Sequence, residues 1–240
     1  MTIPHANLPK RQAFSLTEVL VVIAVIAVLA AILIPVVNSI TNRSMATKRM
    51  NNMRALGNAS LLYSVEHDGS LPFLCQVGES AWGGPYWYQQ LFEYLPQKTT
   101  QATFYNGTER EGLEVLICPL VPEGQHVGCD YGANSAMFFI PTESPNGQPA
   151  KMLSVSNPES IALIVTTENR ANGQPAWYLN ARYYVNFPDA ASKFPTGKWT
   201  SDSNIATVFA DGHYEEISPE DFRENREEYL YPQYLIDMDW

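Results

Sequence analysis

An uninterrupted apolar stretch constrains this chain more than any other feature of its sequence. From Val19 to Val37 every residue is apolar when Pro35 is counted as apolar, and no charged residue occurs between Val19 and Asn42. A helix of about 20 such residues is long enough to cross the hydrocarbon core of a bilayer. A secretory signal peptide has a shorter apolar core of about 7–15 residues, followed by a small-residue cleavage site. The stretch therefore favours a retained, single membrane-spanning helix over a signal peptide or a buried core helix.

The residues that precede this stretch occur in an unusual order. Lys10 and Arg11 lead into the segment Ala13-Phe14-Ser15-Leu16-Thr17-Glu18. An ionisable side chain at the start of a membrane helix is costly and indicates a function by default. Alternatively, Glu18 only stabilises the positive end of the helix dipole. The dipole accounts for the carboxylate, but it does not account for a basic leader, a small residue and a Phe in this order.

Residues 13–18 and the apolar run resemble a class III prepilin signal, which type IV pilins share with the pseudopilins of type II secretion. The resemblance implies that a prepilin peptidase cleaves between Ala13 and Phe14 and methylates the new amino group of Phe14. Ala13 stands where the family usually has Gly. The resemblance also implies that Glu18 pairs with the amino terminus of a neighbouring filament subunit, and that the helix bends or melts near Pro35 on assembly.

The same resemblance implies a location and a set of partners. The chain is expected to be a single-pass protein of the bacterial inner membrane, with its C-terminal part outside the cytoplasm. Prepilin peptidase, membrane lipid and other pilin or pseudopilin subunits are the expected partners.

The charges after the apolar run argue against a head outside the cytoplasm. Four cations follow the run before the first acid, and a positive-inside count places that side in the cytoplasm. These cations are Arg43, Lys48, Arg49 and Arg54.

The helix is predicted to continue beyond the membrane segment as the spine of a globular head. Small or apolar residues recur at steps of three and four and form one stripe: Ala46, Met50, Met53, Gly57 and Leu61. Asp68-Gly69 and then Pro72 predict the end of the helix at about Glu66. We therefore predict a leader peptide at 1–13, a transmembrane and spine helix at 14–68, and an extracytoplasmic pilin-like head at 69–240.

The head contains several runs typical of strands. Ile161–Thr166 is apolar and β-branched, Leu113–Cys118 is short and rich in apolar residues, and Trp177–Phe187 alternates aromatic and polar residues. Asp211-Gly212 lies between two further runs and is the strongest hairpin signal in the chain. The predicted fold class is α+β: a long N-terminal α-helix packed on a small, mainly antiparallel β-sheet head. The acidic tail from Asp211 carries interleaved aromatic residues and is expected to pack partly on the head.

The head also resembles a large group of bacterial pilin-like proteins. The group has a Cys-Pro, a Tyr-Gly-x-Asn and a terminal Phe-Ala-Asp-Gly-His element. This chain carries Cys118-Pro119, Tyr131-Gly132-Ala133-Asn134 and Phe209-Ala210-Asp211-Gly212-His213. In the group, nine residues separate a histidine from the Asp-Gly pair, and the element is associated with prepilin processing. Ser201 occupies the histidine position here.

Aromatic residues are dense after Gln76 and allow two interpretations. Trp82 and Trp87 could form a sugar-binding platform. The alternative is a short amphipathic helix in the core, which the steps of four between Trp87, Leu91 and Leu95 favour.

No motif in the sequence indicates catalysis, so the chain is not predicted to be an enzyme. The net charge of −10 argues against nucleic acid as a partner.

In an oxidising compartment Cys118 and Cys129 could form a disulfide, with Cys75 to Cys118 as the competing pair. No cofactor is expected other than a calcium ion. Oxygen ligands of the type that calcium prefers lie near the hairpin, although turns favour the same residue types: Asp202, Asn204 and Asp211.

The sequence thus predicts a non-enzymatic structural subunit of a type IV pilus-like or type II secretion pseudopilus filament. The alternative is a membrane-anchored extracytoplasmic protein that binds glycans or proteins and uses the prepilin signal only for export.

Overall fold

The computed structural model describes residues 16–75, 85–95, 114–139 and 149–231. Ala13, Phe14 and Trp82, which the sequence singles out, lie outside these ranges. The chain divides into two compact units, Met1–Arg43 and Ser44–Trp240. We describe each unit by itself.

The first unit is helical throughout its described part. Helix α1 extends over Leu16–Glu66, with Glu18 in its first turn and Pro35 inside it. Proline has no backbone N–H and cannot donate to the carbonyl four residues earlier, here that of Ala31. Nearby, the hydroxyl of Thr41 donates to the carbonyl of Val37 at 2.9 Å.

Helix α1 ends at Glu66, as the sequence predicts. The backbone N–H groups of His67 and Gly69 both donate to the carbonyl of Ser64, at 3.2 and 2.8 Å. Asp68 and Gly69 have φ values of 53° and 81°. These left-handed conformations turn the chain out of the helix and satisfy a terminal carbonyl, which explains why an Asp-Gly pair stops it here.

The second unit is built around a seven-stranded mixed sheet in which most strand pairs are antiparallel. Its path runs β4-β1-β2-β6-β7, and β3 and β5 pair with the far end of β2. Among the strands of the described residues, only β1 and β4 pair in parallel. The strands are β1 Tyr131–Asn134, β2 Ala162–Asn169, β3 Gln174–Pro175, β4 Tyr178–Leu179, β5 Lys193–Pro195, β6 Ile205–Phe209 and β7 Tyr214–Ile217. A long helix with a mostly antiparallel sheet confirms the predicted α+β class.

Strand β6 shows how the sheet separates two apolar cores. Its even-numbered residues Ala206 and Val208 pack in the same core as Met53 and Leu56 of α1. Its odd-numbered residues Ile205 and Phe209 pack in a second core on the opposite face. This alternation is the period of two expected of a strand that is buried on both sides.

Strand β2 contains an irregularity that places two consecutive side chains in the core that contains α1. The register with β6 shifts between Ala162 and Ile164. Leu163 and Ile164, although consecutive, both belong to the core that contains α1. A bulge of this kind places two neighbouring side chains on one face.

Helix α1 lies directly on strand β6 because Gly57 has no side chain. A Cβ atom at Gly57 would lie 2.5 Å from Cγ1 of Val208. The predicted small-residue stripe on α1 is therefore the surface that contacts the sheet, with Met53 and Gly57 buried at its centre.

Three short helices cover the second core: α3 Ala181–Asn186, α4 Pro219–Glu224 and α5 Arg226–Leu230. The side chain of Ser218 caps α4 by accepting the N–H of Asp221 at 3.1 Å. Phe222 and Leu230 are fully buried on the sheet. The described part of the acidic tail therefore packs on the head, as predicted.

Two strand predictions are wrong. The described part of Leu113–Cys118 contains a 3₁₀ turn at Glu114–Leu116 instead of a strand. Only Tyr178–Leu179 is extended within Trp177–Phe187, and α3 follows. Asn180 caps that helix by accepting the N–H of Tyr183 at 3.2 Å, and the rings of Tyr183 and Phe187 meet at 5.3 Å across one turn. An Asn cap and a four-residue aromatic step therefore outweigh the alternation.

The predicted hairpin at Asp211-Gly212 is confirmed. Strands β6 and β7 pair antiparallel, from Ile205 opposite Ile217 to Val208 opposite Tyr214. Gly212 has a φ of 89°, a conformation that favours glycine.

Candidate functional site

The apolar half of α1 is not covered by protein. All Val, Leu and Ile side chains from Val19 to Val37 are between 49% and 63% exposed. One helix in the described part of the chain is long and apolar enough to cross a membrane, and its apolar window is wholly unburied. A core helix would bury such side chains, so this segment requires lipid or other apolar helices around it. Membrane anchoring through α1 agrees with the sequence prediction.

Glu18 lies at the N-terminal end of this apolar segment, in the first turn of α1, and is exposed. A carboxylate in this position is favoured by the unpaired N–H groups of the first turn. Its predicted pairing with the Phe14 amine stays a prediction, as do the cleavage between Ala13 and Phe14 and the role of Pro35.

Arg49 has a structural role that the sequence analysis missed. It lies on the sheet-facing side of α1 and is completely buried. One guanidinium nitrogen, Nη1, donates to the carbonyl of Trp199 at 3.2 Å. The other, Nη2, donates to the hydroxyl of Tyr214 at 3.2 Å and to the carboxylate of Glu216. The helix is thereby tied to the loop before β6 and to strand β7.

Electrostatic complementarity keeps Arg49 charged despite its burial. Burial alone lowers the pKa of Arg49, but Tyr214 and Glu216 offset this effect and the net shift is upward. Burial and the bond to Glu216 raise the pKa of Tyr214, so its hydroxyl stays protonated. The pKa of the nearby Asp202 is lowered. Burial alone would raise this pKa, but hydrogen bonds to the carboxylate and the positive charge of Arg49 lower it by more. Within the described residues, Nε of Arg49 is buried without a hydrogen-bond partner.

The cysteines of the predicted disulfide lie beside a buried carboxylate. Asp130 accepts the backbone N–H of Cys118 at 2.9 Å and that of Val127 at 3.0 Å, and it contacts the His126 ring at 2.5 Å. Cys118 and Cys129 are buried, free thiols. Burial raises the pKa of Cys118 to about 11 and that of Cys129 well above its ordinary value. Such thiols are poor nucleophiles at neutral pH. Their pairing stays a prediction, which non-reducing peptide mapping tests.

The two C-terminal elements of the second resemblance have structural roles. Asn134 is buried, and its amide donates to the carbonyls of Ala162 at 2.9 Å and Leu230 at 3.0 Å. It therefore joins the tail helix α5 to the sheet. In the hairpin, Asp211 accepts the backbone N–H of His213 at 3.0 Å and its Nδ1 at 2.6 Å, and the His213 ring stacks on Phe209. Ser201, at the position of the missing histidine, is exposed.

The three predicted calcium ligands make protein contacts. Asp202 accepts both the backbone N–H and the side-chain amide of Asn204, at 3.2 and 3.1 Å. Asp211 is occupied by His213. Among the described residues, no three His, Cys, Asp or Glu side chains form a group that could hold a metal. Calcium stays a prediction for these positions.

The three residues whose spacing of four predicts a core position are located in the core. Trp87, Leu91 and Leu95 are all buried, and helix α2 extends over Trp87–Gln90. The indole N–H of Trp87 donates to the carbonyl of Trp177 at 2.7 Å. Trp87 is therefore unavailable to a sugar.

Comparison with known families agrees with the N-terminal assignment. The family model described as the prokaryotic N-terminal methylation motif matches residues 8–34. The chain carries a prepilin-type signal. The match supports a prepilin-like, methylated N-terminus, and it covers 27 of the 240 residues. No curated protein and no solved structure matches the chain.

Proposed function

We propose that this protein is a structural subunit of a type IV pilus-like or type II secretion pseudopilus filament. The observation that carries the proposal is the methylation motif at residues 8–34, which includes Glu18 and leads into an apolar helix whose side chains have no protein cover. Assembly would surround those side chains with the helices of other subunits. The domain organisation we propose is a leader at 1–13, a transmembrane and spine helix at 14–68 and a head at 69–240.

Processing and assembly use neighbouring parts of the motif. Cleavage between Ala13 and Phe14 creates an amino group four residues before Glu18. A lone carboxylate in lipid is costly, whereas a carboxylate paired with an ammonium group is much less so. Pairing between subunits therefore favours assembly and also selects the register. Pro35 leaves one carbonyl without its helical partner, which makes this segment the easiest place for α1 to bend.

The contacts of Arg49 support a spine role for the second half of α1. Arg49 bonds to Glu216 across a sequence separation of 167 residues, and Gly57 lies against Val208. The segment from Arg49 to Ser60 is thus an integral part of the core. This part of the helix therefore supports the sheet from within the second unit.

The contacts of three of the four cations that follow the apolar run weaken the charge argument against a head outside the cytoplasm. Lys48 pairs with Glu114 at 2.8 Å, Arg49 is buried with Glu216, and the Arg54 guanidinium lies over the Tyr214 ring at 5.7 Å. Cations engaged in this way belong to a folded unit and are a poor guide to topology by the positive-inside rule, which counts short flexible loops. The location we propose is the bacterial inner membrane, with prepilin peptidase and other pilin subunits as partners.

Substitution of Glu18 tests the function. Glu18→Ala should yield cleaved, membrane-bound protein that enters few or no filaments, because the subunit lacks the carboxylate that pairs with a neighbour. Glu18→Asp should be intermediate, because its reach is shorter. Filaments are sheared, sedimented and quantified against the membrane pool by immunoblot.

Glu220→Ala is the matched control, because Glu220 is also an exposed carboxylate in the first turn of a helix. The control should assemble like the wild type. Filament yield from Glu18→Ala equal to that of the control would overturn the pairing role. Absence of the wild-type chain from sheared filaments would overturn the structural function and leave the export-only alternative.

A further inference from the structure

Three half-buried aromatic rings form a continuous row on the second unit. The rings of Tyr86 and Trp177 have centroids 4.6 Å apart and are inclined by 55°. The rings of Trp177 and Tyr178 are also 4.6 Å apart, inclined by 51°. We call Tyr86, Trp177 and Tyr178 the aromatic row. Each of these side chains packs against the buried core, and each residue is partly exposed.

The backbone holds this row firmly in place. The carbonyl of Trp177 accepts two bonds, from the Trp87 indole at 2.7 Å and from the N–H of Ala133 at 3.2 Å. Tyr178 is paired in register with Ala133 as part of the edge strand β4. Rings fixed in this way lose little conformational entropy when a ligand binds.

A lysine lies at one end of the row. The ammonium nitrogen of Lys193, on β5, lies 4.8 Å from the centroid of the Tyr178 ring. Among the described residues, Lys193 forms no ion pair, in contrast to Lys198, which pairs with Glu168 at 3.0 Å. Burial lowers the pKa of Lys193, so the charge is already partly desolvated.

We propose that the aromatic row and Lys193 form a binding site for an acidic saccharide, such as a chain of uronic acid residues. The negative face of an aromatic ring attracts the weakly positive C–H groups on the flat side of a pyranose. The ammonium group of Lys193 supplies the counter-charge for the sugar carboxylate. A neutral sugar satisfies the rings but leaves the lysine unused, so the site prefers an acidic ligand. This activity goes beyond a filament subunit's structural role and is independent of assembly.

The experiment measures binding of two probes to the full chain in detergent micelles. Isothermal titration with an oligogalacturonate and with a neutral malto-oligosaccharide of equal length compares acidic and neutral ligands. We expect the acidic probe to bind at least ten times more tightly than the neutral one. Its affinity should fall as salt is raised, because salt screens the Lys193–carboxylate attraction.

Two variants assign the binding to this site. Trp177→Leu removes the aromatic face but keeps apolar bulk against the core, and it should weaken both probes at least tenfold. Lys193→Met keeps the side-chain length without the charge, and it should remove the preference for the acidic probe. Phe187→Ala is the matched control, because Phe187 is an exposed aromatic residue at the C-terminal cap of α3. Its ring packs with that of Tyr183, away from the aromatic row, and the variant should bind like the wild type.

Three outcomes would overturn the proposal: no acidic preference in the wild type, an unchanged preference in Lys193→Met, or an equal loss in Phe187→Ala. If Trp177→Leu fails to fold by circular dichroism, Lys193→Met decides alone, because its side chain donates no hydrogen bond within the described residues. Filament assays are not involved, so a failure here leaves the structural function untouched.

Discussion

Replacing Glu216 with alanine should leave the Arg49 guanidinium fully buried without its carboxylate. Breaking a buried ion pair by removing one partner costs about 3–5 kcal/mol, since the remaining charge is uncompensated. The Glu216 side chain is 27% exposed whereas that of Arg49 is fully buried, and solvent screening lowers the expected cost to about 2–3 kcal/mol. The Tyr214 hydroxyl and the Trp199 carbonyl remain to accept from Arg49 and prevent a larger loss.

This cost converts into a measurable melting shift. The second unit is Ser44–Trp240, and for a domain of this size about 1 kcal/mol lowers Tm by about 2–4 °C. Glu216→Ala should therefore lower Tm by about 4–12 °C. The melting curve is measured by near-ultraviolet circular dichroism on the full chain in detergent. Glu215→Ala is the matched control, because Glu215 is the neighbouring carboxylate on β7 and its side chain is 62% exposed. Its Tm should fall by less than about 2–4 °C, since an exposed pair contributes under about 1 kcal/mol.

The reverse substitution sharpens the test. Arg49→Met removes the buried charge and keeps most of the apolar stem, and the Glu216 carboxylate that remains can be hydrated. It should therefore cost less than Glu216→Ala. Equal melting temperatures for Glu216→Ala and Glu215→Ala, or a larger loss in Arg49→Met than in Glu216→Ala, would refute the reasoning that the buried guanidinium depends on its carboxylate.

The remaining predictions concern processing and close packing. Intact mass of the mature chain should show loss of residues 1–13 and one methyl group on Phe14; a chain that starts beyond residue 30 would contradict prepilin processing. Gly57→Ala should cost about 1–3 kcal/mol by overpacking against Val208, and adding Val208→Ala should cost less than the sum of the two changes, as chemical denaturation would report. Gly212→Val should lower Tm because a β-branched residue disfavours the positive φ, at a cost of about 1 kcal/mol or more, whereas Gly212→Asn should be milder; equal Tm values for both would contradict the strained turn.

Local signals account for the features that the sequence predicted well. The end of α1 depends on Asp68 and Gly69, and the hairpin depends on Gly212, so a few adjacent residues determine each. The methylation motif is local too, and residues 8–34 match its family model. The α+β class followed because one long helical pattern preceded several separate strand patterns.

Non-local contacts account for the features that the sequence did not predict. In the sequence, Arg49 is one of four cations after the apolar run, and nothing near it indicates that it is buried. Its partner Glu216 lies 167 residues away. The aromatic row joins Tyr86 to Trp177 and Tyr178, which no local period connects. Trp177–Phe187 was predicted as a strand because its residues alternate, yet the cap formed by Asn180 starts a helix inside it.

The bond between Arg49 and the last strand has a consequence for how the chain is made. A ribosome that adds about 5–20 residues per second needs roughly 8–33 s to proceed from Arg49 to Glu216. Throughout that interval the guanidinium lacks its carboxylate, so the helix cannot be buried against the sheet without an uncompensated charge. The core around Arg49 therefore reaches its full stability only after strand β7 has been synthesised. A chain that ends before Glu216 lacks this ion pair and should be less stable, and more readily cleaved by proteases, than a chain that includes it.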